Sequence, residues 1–356
     1  MESRLKRLRT AMAEKDIDAL LITNPTNRRY ISGFTGSAGM VLVTHNGGSF
    51  ITDFRYVEQA KKQSPHFDII DHQGKVIGTL LKELQRLKVK GMGFEQTDVT
   101  YDTYLTFQDG LEGIHLVPTE GMVEKLRIIK DKNELDIIRE AAKIVDDAFS
   151  QIIKEIKPGI REKDIALQLE ILMRRNGASS SSFDIIVASG IRSALPHGVA
   201  SEKIIEEGDM VTLDFGAKYK GYCSDMTRTV AIGNPSERLV EIYEIVKEAQ
   251  RLGVQGIRSG LTGKEADELT RKYITDKGYG EYFGHGTGHG IGLDIHEEPR
   301  LSLTGETVLQ PGMVVTVEPG IYIPGLGGVR IEDDVIITEE GSEIITHSSK
   351  DLIRLG

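Results

Sequence analysis

The sequence predicts an α/β domain over residues 1–125 followed by an α+β domain over residues 130–356. In the first third, short apolar segments alternate with amphipathic ones, which is typical of interleaved strands and helices. In the remainder, long helical patterns are followed by short strands with many glycines. A length of 356 residues is sufficient for two such domains.

The elements of the first domain follow from apolar spacing and from turn residues. Leu5, Leu8 and Met12 recur at helical spacing and predict an N-terminal helix whose basic residues face solvent. Asn46-Gly47 lies between two apolar runs and predicts a β-hairpin. The predicted elements are a strand over 19–23 that ends at Asn24-Pro25, hairpin strands over 40–44 and 49–52, and helices over 56–62 and 76–87.

The second domain begins after a run of turn residues, 118–121. Helical periodicity then predicts four helices, over 134–156, 162–175, 236–251 and 262–277. Apolar β-branched segments predict strands over 211–216, around Asp225, and over 314–318. Helices packed on a mainly antiparallel sheet are the expected arrangement.

Composition and charge exclude several classes of protein. The chain is 39% hydrophobic, which excludes wholesale disorder. Its 54 acidic residues outnumber 44 basic ones, and an acidic surface repels nucleic acid. No run of about 18 apolar residues predicts a membrane span, and the N-terminus has no signal peptide. A single cysteine, Cys223, excludes an intramolecular disulfide and favours a cytoplasmic location.

Two aspartates in neighbouring apolar segments are the first candidates for a functional site. If the hairpin turns at the Tyr219-Lys220 bond, Asp214 and Asp225 face each other across the strands. Facing carboxylates repel unless a cation lies between them or one of them is protonated. An exposed acidic pair is the alternative, but the β-branched surroundings favour a buried one.

A second hairpin carries a second acidic pair. A loop centred on Gly325 places Glu318 opposite Glu332, since each lies seven residues from that glycine. Four carboxyl groups gathered in one core cannot remain ionised without a compensating positive charge. The two hairpins together therefore favour a metal site.

Histidines near these hairpins complete the candidate site. His197 lies in ALPHG, and His285, His289 and His296 lie in FGHGTGHGIGLDIHE. His285 and His289 have the H-x-x-x-H spacing that is typical of a zinc protease helix, but the glycines between them argue against a helix. His347, beyond the last predicted strand, is interpreted as a structural residue.

Four carboxylates and one imidazole form a hard, oxygen-rich ligand set. This set suits Mn²⁺ or Co²⁺, with Zn²⁺ or Fe²⁺ as alternatives. The number of ligands is generous for one ion and natural for two ions that share carboxylates. Such a site activates a bridging water and polarises a carbonyl, so metal-assisted hydrolysis is the predicted class of reaction.

Several segments closely resemble the prolidase and aminopeptidase P family of proline-specific metallopeptidases. They are ALPHG, VTLDFGAKYKGYCSDMTRT, GHGTGHGIGLDIHE, VVTVEPGIY and GGVRIEDD, in an order that covers the chain from about residue 130 to its end. The segments NRRYISGFTGSAG and TDFRY resemble the N-terminal domain found in the same family and in creatinase. The resemblance implies a pita-bread catalytic fold, a homodimer and hydrolysis of the Xaa-Pro bond by a hydroxide that bridges two metal ions.

The resemblance also implies a set of metal ligands. Asp214 would bind one ion, and His289 and Glu318 would bind the other. Asp225 and Glu332 would bridge the two ions. Mn²⁺ is the expected metal, with Co²⁺ or Zn²⁺ as alternatives.

The remaining matched residues are implied to act on the substrate. His197 and His296 would bind it and stabilise the tetrahedral intermediate, and Glu318 would also shuttle a proton. Three further residues would line the pocket or orient the ligands: His285, Tyr322 and Arg330.

The sequence leaves several functions open. A prolidase cuts Xaa-Pro dipeptides and must bind a free carboxylate, for which Arg300, four residues after His296, is suited. Aminopeptidase P acts on longer peptides, and Arg300 would then be an exposed partner of Glu297 or Glu298. A non-catalytic binding protein and a metal-free creatinase are two further candidates, and the full set of ligand residues argues against both. Proline-containing di- or oligopeptides are the expected substrates, and no nucleic acid or membrane partner is expected.

Overall fold

The chain, described over residues 1–356 by a computed structural model, divides after Arg127 into two units. The first unit, Met1–Arg127, combines parallel and antiparallel strands with helices. The second unit, Ile128–Gly356, packs helices on mainly antiparallel sheets. The predicted α/β and α+β classes are therefore both confirmed.

Six strands and six helices form the first unit. The strands are β1 (Ala19–Ile22), β2 (Met40–Thr44), β3 (Gly48–Thr52), β4 (Asp68–Asp71), β5 (Gly91–Glu95) and β6 (His115–Thr119). The helices are α1 (Glu2–Glu14), α2 (Pro25–Ser32), α3 (Val57–Gln63), α4 (Val76–Arg86), α5 (Tyr101–Gly110) and α6 (Glu124–Arg127). The strands form one mixed sheet in the order β4-β3-β2-β1-β5-β6.

Helix α1 and the first hairpin match their predictions. Leu5, Leu8 and Met12 are buried on one face of α1, and the predicted turn joins β2 to β3. The basic face of α1 is not left wholly to solvent, because Arg9 donates to two backbone carbonyls at the β2–β3 turn. The expectation of a solvated basic face is thus only partly correct.

Helix α2 was not predicted, although its start signal is present in the sequence. Asn24 accepts hydrogen bonds from the backbone N–H groups of Thr26 and Asn27, at 3.0 Å each. Pro25 takes the first helical position, where a missing N–H costs nothing. Asn24-Pro25 therefore ends β1 and begins a helix.

The second unit contains four helices and fourteen short strands. The helices are α7 (Lys132–Ile152), α8 (Glu162–Arg175), α9 (Glu237–Gly256) and α10 (Gly263–Asp276). The strands are β7 (Ser180–Ser181), β8 (Ile186–Ser189), β9 (Met210–Phe215), β10 (Ala217–Tyr219), β11 (Tyr222–Cys223), β12 (Met226–Ile232), β13 (Gly288–Gly290), β14 (Glu297–Leu301), β15 (Val314–Val317), β16 (Gly320–Ile323), β17 (Gly327–Arg330), β18 (Asp333–Ile337), β19 (Ser342–Ile344) and β20 (Arg354–Leu355).

The four predicted helices of this unit are confirmed, with ends that differ by up to five residues. Capping boxes explain two of the starts, since Asp131 and Glu134 cap α7, and Thr262 and Glu265 cap α10. No helix of the chain combines the length and the apolar character that are needed to cross a bilayer.

Two sheets form the framework of the second unit, in the orders β20-β12-β9-β8 and β14-β13-β15-β18-β19. The apolar faces of α7 and α8 pack on the first sheet, and α9 and α10 contribute to two further apolar clusters. β9 and β12 belong to the first sheet, and β15 and β18 belong to the second. Each acidic hairpin therefore lies on its own sheet.

The first acidic hairpin has a register different from the predicted one. Asp214 in β9 lies opposite Thr227 in β12, and the chain turns at Lys220-Gly221. Both turn residues have positive φ, 46° and 90°, as the tightest hairpin turns require. The prediction that Asp214 directly faces Asp225 is wrong, because the turn lies one residue later than expected.

The second acidic hairpin has the predicted register. Val317 pairs with Asp333, and Gly320 pairs with Arg330, so the pairing is in register on both sides of the acidic residues. Glu318 therefore lies at the position across from Glu332. The loop centred on Gly325, whose φ is +78°, explains this match.

Candidate metal centre and active site

A cavity of about 510 Å³ in the second unit is lined by most of the predicted site residues. Of the eleven candidates, only Tyr322 does not line it. The other ten are His197, Asp214, Asp225, His285, His289, His296, Arg300, Glu318, Arg330 and Glu332. Residues that lie more than a hundred positions apart in the sequence therefore share one cavity.

Three buried side chains form the centre of this cavity. Asp225, His289 and Glu332 each offer a ligand atom, and these atoms lie within 4.8 Å of one another. Glu318 extends the group, because its Oε1 lies 3.4 Å from Nε2 of His289. Oδ2 of Asp225 lies 3.7 Å from the same nitrogen. Both acidic hairpins therefore contribute to one polar centre.

A direct connection between the two hairpins holds this centre together. The backbone N–H of Glu332 donates to the carbonyl of Thr227 at 3.1 Å, and the hydroxyl of Thr227 donates to Oε2 of Glu332 at 2.6 Å. The backbone N–H of Asp225 donates to Oδ2 of Asp334 at 2.8 Å. Each hairpin thus fixes an acidic residue of the other.

Burial dominates the electrostatics of the centre. Loss of solvent, reinforced by the neighbouring carboxylates, raises the pKa of Asp225 and of Glu332 well above their usual values. Burial also raises the pKa of Glu318 to about 7 and lowers the pKa of His289 to about 3. The imidazole is therefore neutral at pH 7, and the carboxyl groups need a positive partner to remain ionised.

Three of these carboxylates carry an oxygen that fits a cation. Oδ1 of Asp214, Oδ1 of Asp225 and Oε1 of Glu332 are buried without a hydrogen-bond partner. Orphaned buried oxygens are costly in a folded protein unless another group satisfies them. The second carboxylate oxygen of Asp214 accepts a hydrogen bond from Arg330, and the second carboxylate oxygen of Glu332 accepts one from Thr227. In each of these two carboxylates, the protein orients one oxygen by a hydrogen bond and leaves the other oxygen without a partner. This arrangement suits a metal ligand.

The tautomer of His289 also suits a ligand role. It lies in β13, a short strand between glycines, as the glycine-rich sequence around it predicts. Its Nδ1 lies 3.1 Å from the carbonyl of Gly290, so Nδ1 carries the proton and donates it. Nε2 is left as the acceptor that faces the carboxylates.

A chain of hydrogen bonds leads from the centre to His285. Arg330 donates through Nη2 to Oδ2 of Asp214 at 2.6 Å and through Nη1 to the Tyr322 hydroxyl at 2.7 Å. The same hydroxyl lies 2.8 Å from Nε2 of His285. Burial lowers the pKa of His285 to about 4 and raises the pKa of Tyr322 to about 12. This chain therefore consists of one cation and two neutral rings.

The other cavity residues are more accessible. His197, His296 and Arg300 are exposed. The ring of His296 packs edge-on against the ring of His289, with centroids 4.4 Å apart. Arg300 lies in β14, directly across from His289 in β13.

The surface role considered for Arg300 does not match its surroundings. Glu297, one of its two supposed partners, pairs instead with buried Lys130 at 3.3 Å. No hydrogen bond or ion pair of Arg300 with either glutamate occurs in the chain. Its guanidinium therefore lines the cavity without a hydrogen-bond or ion-pair partner within the chain.

Two residues that orient the centre are absent from the set predicted from the sequence. Thr227 lies two positions after Asp225 and thus on the same face of the extended chain, which was an available signal. Asp334 ends the run IEDD, and its Oδ1 is a fourth buried oxygen without a partner. Its bond to the Asp225 backbone depends on tertiary contacts that no local pattern reports.

Comparison with known proteins places this site in a family. The pattern of metallopeptidase family M24 matches residues 136–339, and that of the creatinase/prolidase N-terminal domain matches residues 4–129. The two matches together cover both structural units.

Relatives match over the whole chain. An Xaa-Pro dipeptidase from Bacillus anthracis is similar in structure, with a TM-score of 0.98, 59% identity and 99% coverage of both chains. An Xaa-Pro dipeptidase from Pyrococcus furiosus is 43% identical over 99% of this chain and 100% of its own. An X-Pro aminopeptidase from Thermotoga maritima has a TM-score of 0.91 and 41% identity, covering 96% of this chain and 98% of its own. The chain therefore belongs to metallopeptidase family M24, a family of hydrolases, and carries the creatinase/prolidase N-terminal domain.

Proposed function

We propose that the protein is a metal-dependent Xaa-Pro dipeptidase. The observation that carries this proposal is the buried group of carboxylates with unpartnered oxygens beside a neutral imidazole. The names of the Bacillus anthracis and Pyrococcus furiosus relatives support the choice of substrate. Aminopeptidase P remains the second candidate, because the Thermotoga maritima relative is named for that activity.

Five side chains are proposed to hold two divalent ions. Asp214 would serve as a ligand of one ion, His289 and Glu318 would serve as ligands of the other, and Asp225 and Glu332 would be shared between the two. The bound ions would acidify a water molecule and polarise the scissile carbonyl. Mn²⁺ is the proposed metal because oxygen ligands predominate, and Co²⁺ or Zn²⁺ are the alternatives.

Glu318 is the proposed proton carrier. Its Oε1 lies 3.4 Å from Nε2 of His289, so the carboxylate is placed within reach of a water molecule held among the proposed ligands. The hydroxyl of Thr316 donates to its Oε1 at 3.1 Å and holds that oxygen in place. The carboxyl therefore accepts a proton from the attacking water and delivers it to the leaving imino group of proline.

His197 and His296 are proposed to bind the substrate and to stabilise the oxygen of the tetrahedral intermediate. Both are exposed and line the cavity, so their N–H groups are available to a bound peptide. His285 is proposed to line the pocket near the scissile bond. The Tyr322 hydroxyl orients the ring of His285, and Arg330 orients both that hydroxyl and the Asp214 carboxylate. An N–H group placed where negative charge develops contributes most in the transition state.

Arg300 is proposed to bind the free carboxylate of the dipeptide. Its position across from His289 and its lack of an internal partner support this role. A guanidinium binds a carboxylate through two parallel hydrogen bonds. This contact is the reason for preferring a dipeptidase to aminopeptidase P.

A homodimer in the cytoplasm is also proposed. The resemblance of the first unit to the family's N-terminal domain supports the dimer, and the single buried cysteine supports a reducing compartment. Sedimentation of the purified protein measures the first, and fractionation of cells measures the second.

Metal removal tests the proposed function directly. Exhaustive chelation should abolish hydrolysis of Ala-Pro, and Mn²⁺ or Co²⁺ should restore it. Ala-Pro-Ala serves as the comparison substrate, and preference for it would favour aminopeptidase P. Full activity after metal removal, verified by elemental analysis, would refute the metallopeptidase mechanism. No hydrolysis of either peptide by the metal-loaded protein would favour a binding protein.

A further inference from the structure

Glu162, the first residue of α8, does not line the cavity and has no exposed surface. Its carboxylate binds both ends of the segment 189–201, which we name the His197 loop. Ser189 donates to Oε1 through its backbone N–H at 2.8 Å and its hydroxyl at 2.9 Å. Ser201 donates to Oε2 in the same two ways, at 3.1 and 2.6 Å. One side chain therefore closes the base of the loop.

Arg192 supplies the charge that a buried carboxylate needs. Its Nη1 donates to Oε2 of Glu162, and its Nη2 donates to the carbonyl of Val199 at 2.9 Å. The guanidinium thus links the carboxylate to the far limb of the same loop. A buried ion pair with every oxygen satisfied has a single well-defined geometry.

The other side of the His197 loop reaches the active site. The carbonyl of Pro196 accepts a hydrogen bond from Nη1 of Arg330 at 3.2 Å, and Arg330 also binds Asp214. His197 follows directly and is exposed in the cavity lining. Because the imidazole has no hydrogen bond to the protein, its position depends on the backbone that carries it.

We propose that Glu162 is a positioning residue, which holds the His197 loop so that His197 reaches the substrate. This inference rests on the role given to His197 in the proposed function. An error of about 1 Å in the placement of a reacting group costs on the order of 10²-fold in rate. A side chain outside the cavity therefore affects the reaction through the loop alone.

A double-mutant cycle with the metal-loaded enzyme tests the proposal. In the wild-type background, Glu162→Gln should lower kcat/KM for Ala-Pro by about 10-fold, because an amide cannot accept all five donors. In the His197→Ala background, the same change should cost less than about 2-fold, since the group being positioned is absent. Equal losses in both backgrounds, at equal metal content, would overturn the proposal.

Two further variants separate positioning from folding. Ser201→Ala removes the hydrogen bond from the Ser201 hydroxyl to Glu162 and should reproduce part of the loss in kcat/KM. Glu202→Gln is the matched control, because this neighbouring carboxylate is exposed and contacts only Arg161 and Lys163. It should leave kcat/KM unchanged, and a loss equal to that of Glu162→Gln would overturn the proposal.

Hydrogen exchange of the loop amides is independent of the proposed function. The N–H groups of Leu195 and Gly198 bond within the loop and should exchange faster in Glu162→Gln. If His197→Ala alone leaves kcat/KM unchanged, the role proposed for His197 is wrong, and the exchange measurement alone then decides whether Glu162 anchors the loop. Unchanged exchange would overturn the anchoring itself.

Discussion

The carboxylates at the centre of the cavity are buried, whereas His197, His296 and Arg300 in the same lining are exposed. The central groups lie on strands or at strand ends and are joined by backbone and hydroxyl bonds between two hairpins. The accessible groups lie on loops and on the edge strand β14. The comparison indicates that the two sheets fix the proposed ion ligands, while one proposed substrate contact, His197, depends on a loop held from outside the cavity.

The largest expected effect is at the centre. Asp225→Asn and Glu332→Gln should each lower kcat by about 10³-fold, because a bridging ligand serves both ions, and such ions contribute several kcal/mol. Asp214→Asn should lower kcat by a smaller factor, because Asp214 is proposed as a ligand of one ion only. The measurements are kcat on Ala-Pro and bound metal by elemental analysis.

Asp184→Asn is the control for these variants, since Asp184 is an exposed carboxylate of the same lining. It should retain both metal and activity. Equal rates and equal metal content in the three central variants would show that the bridging assignment is wrong.

Buried acidity at the centre also predicts how stability depends on pH. Glu318 has a pKa of about 7 in the folded protein, against 4.5 when exposed, so the folded state binds its proton more tightly. Without metal, the contribution of the Glu318 carboxyl to the free energy of unfolding should fall by roughly 3 kcal/mol as pH rises from about 4.5 to 7. Thermal or urea unfolding of the metal-free wild type and of Glu318→Gln isolates this contribution from that of the other buried groups, such as His285 and His289 with their lowered pKa values.

Glu318→Gln is the reference for the pH experiment, because it removes the titrating group. The difference in stability between the two proteins should vary with pH in that window, and Mn²⁺ should abolish the decrease in the wild type. A difference that is constant across the window would contradict the assigned pKa.

At the accessible side of the cavity, Arg300→Ala should have a selective effect. A hydrogen bond to a charged group contributes about 1.5–3 kcal/mol, or roughly 10- to 150-fold in kcat/KM. The loss should affect Ala-Pro and spare Ala-Pro-Ala, whose carboxylate lies one residue further away. The measurement is kcat/KM for both peptides.

Arg258→Ala, an exposed arginine outside the cavity, is the control and should change neither value. A parallel loss on both peptides in Arg300→Ala would indicate a structural role. No loss on the dipeptide would remove the main residue-level reason for preferring a dipeptidase.

The smallest expected effect is at the chain of hydrogen bonds between the two regions. Tyr322→Phe removes one hydroxyl between His285 and Arg330, and because this hydroxyl acts on the reaction only through its two neighbours, about 0.5–1.5 kcal/mol of the barrier is expected to depend on it. We expect kcat to fall about 2- to 10-fold with metal content unchanged.

Tyr222→Phe is a matched comparison, because that buried hydroxyl bonds to Glu134 at 2.8 Å outside the cavity. It should lower stability without lowering kcat. Equal kcat losses in the two variants would show that the Tyr322 hydroxyl has only a structural role.

Local signals in the sequence predicted the four helices of the second unit, half of the elements of the first unit and the candidate site residues, but few of the short strands of the second unit. Apolar periodicity located α1 and the helices of the second unit, since burial of one face imposes that spacing. The glycine-centred loop at Gly325 set the register of the second hairpin. Resemblance to a known family then selected the same acidic and histidine positions that the cavity brings together.

Local spacing and residue chemistry are sufficient to predict the fold class, the long helices and the candidate polar residues of the site. Tertiary packing sets the register at Lys220-Gly221, the bond between Glu332 and Thr227, and the anchoring of the His197 loop by Glu162. A turn one residue later changes every partner along a hairpin. The bonds from Glu332 and Glu162 join segments far apart in the chain, so they arise only when the sheets and helices have packed.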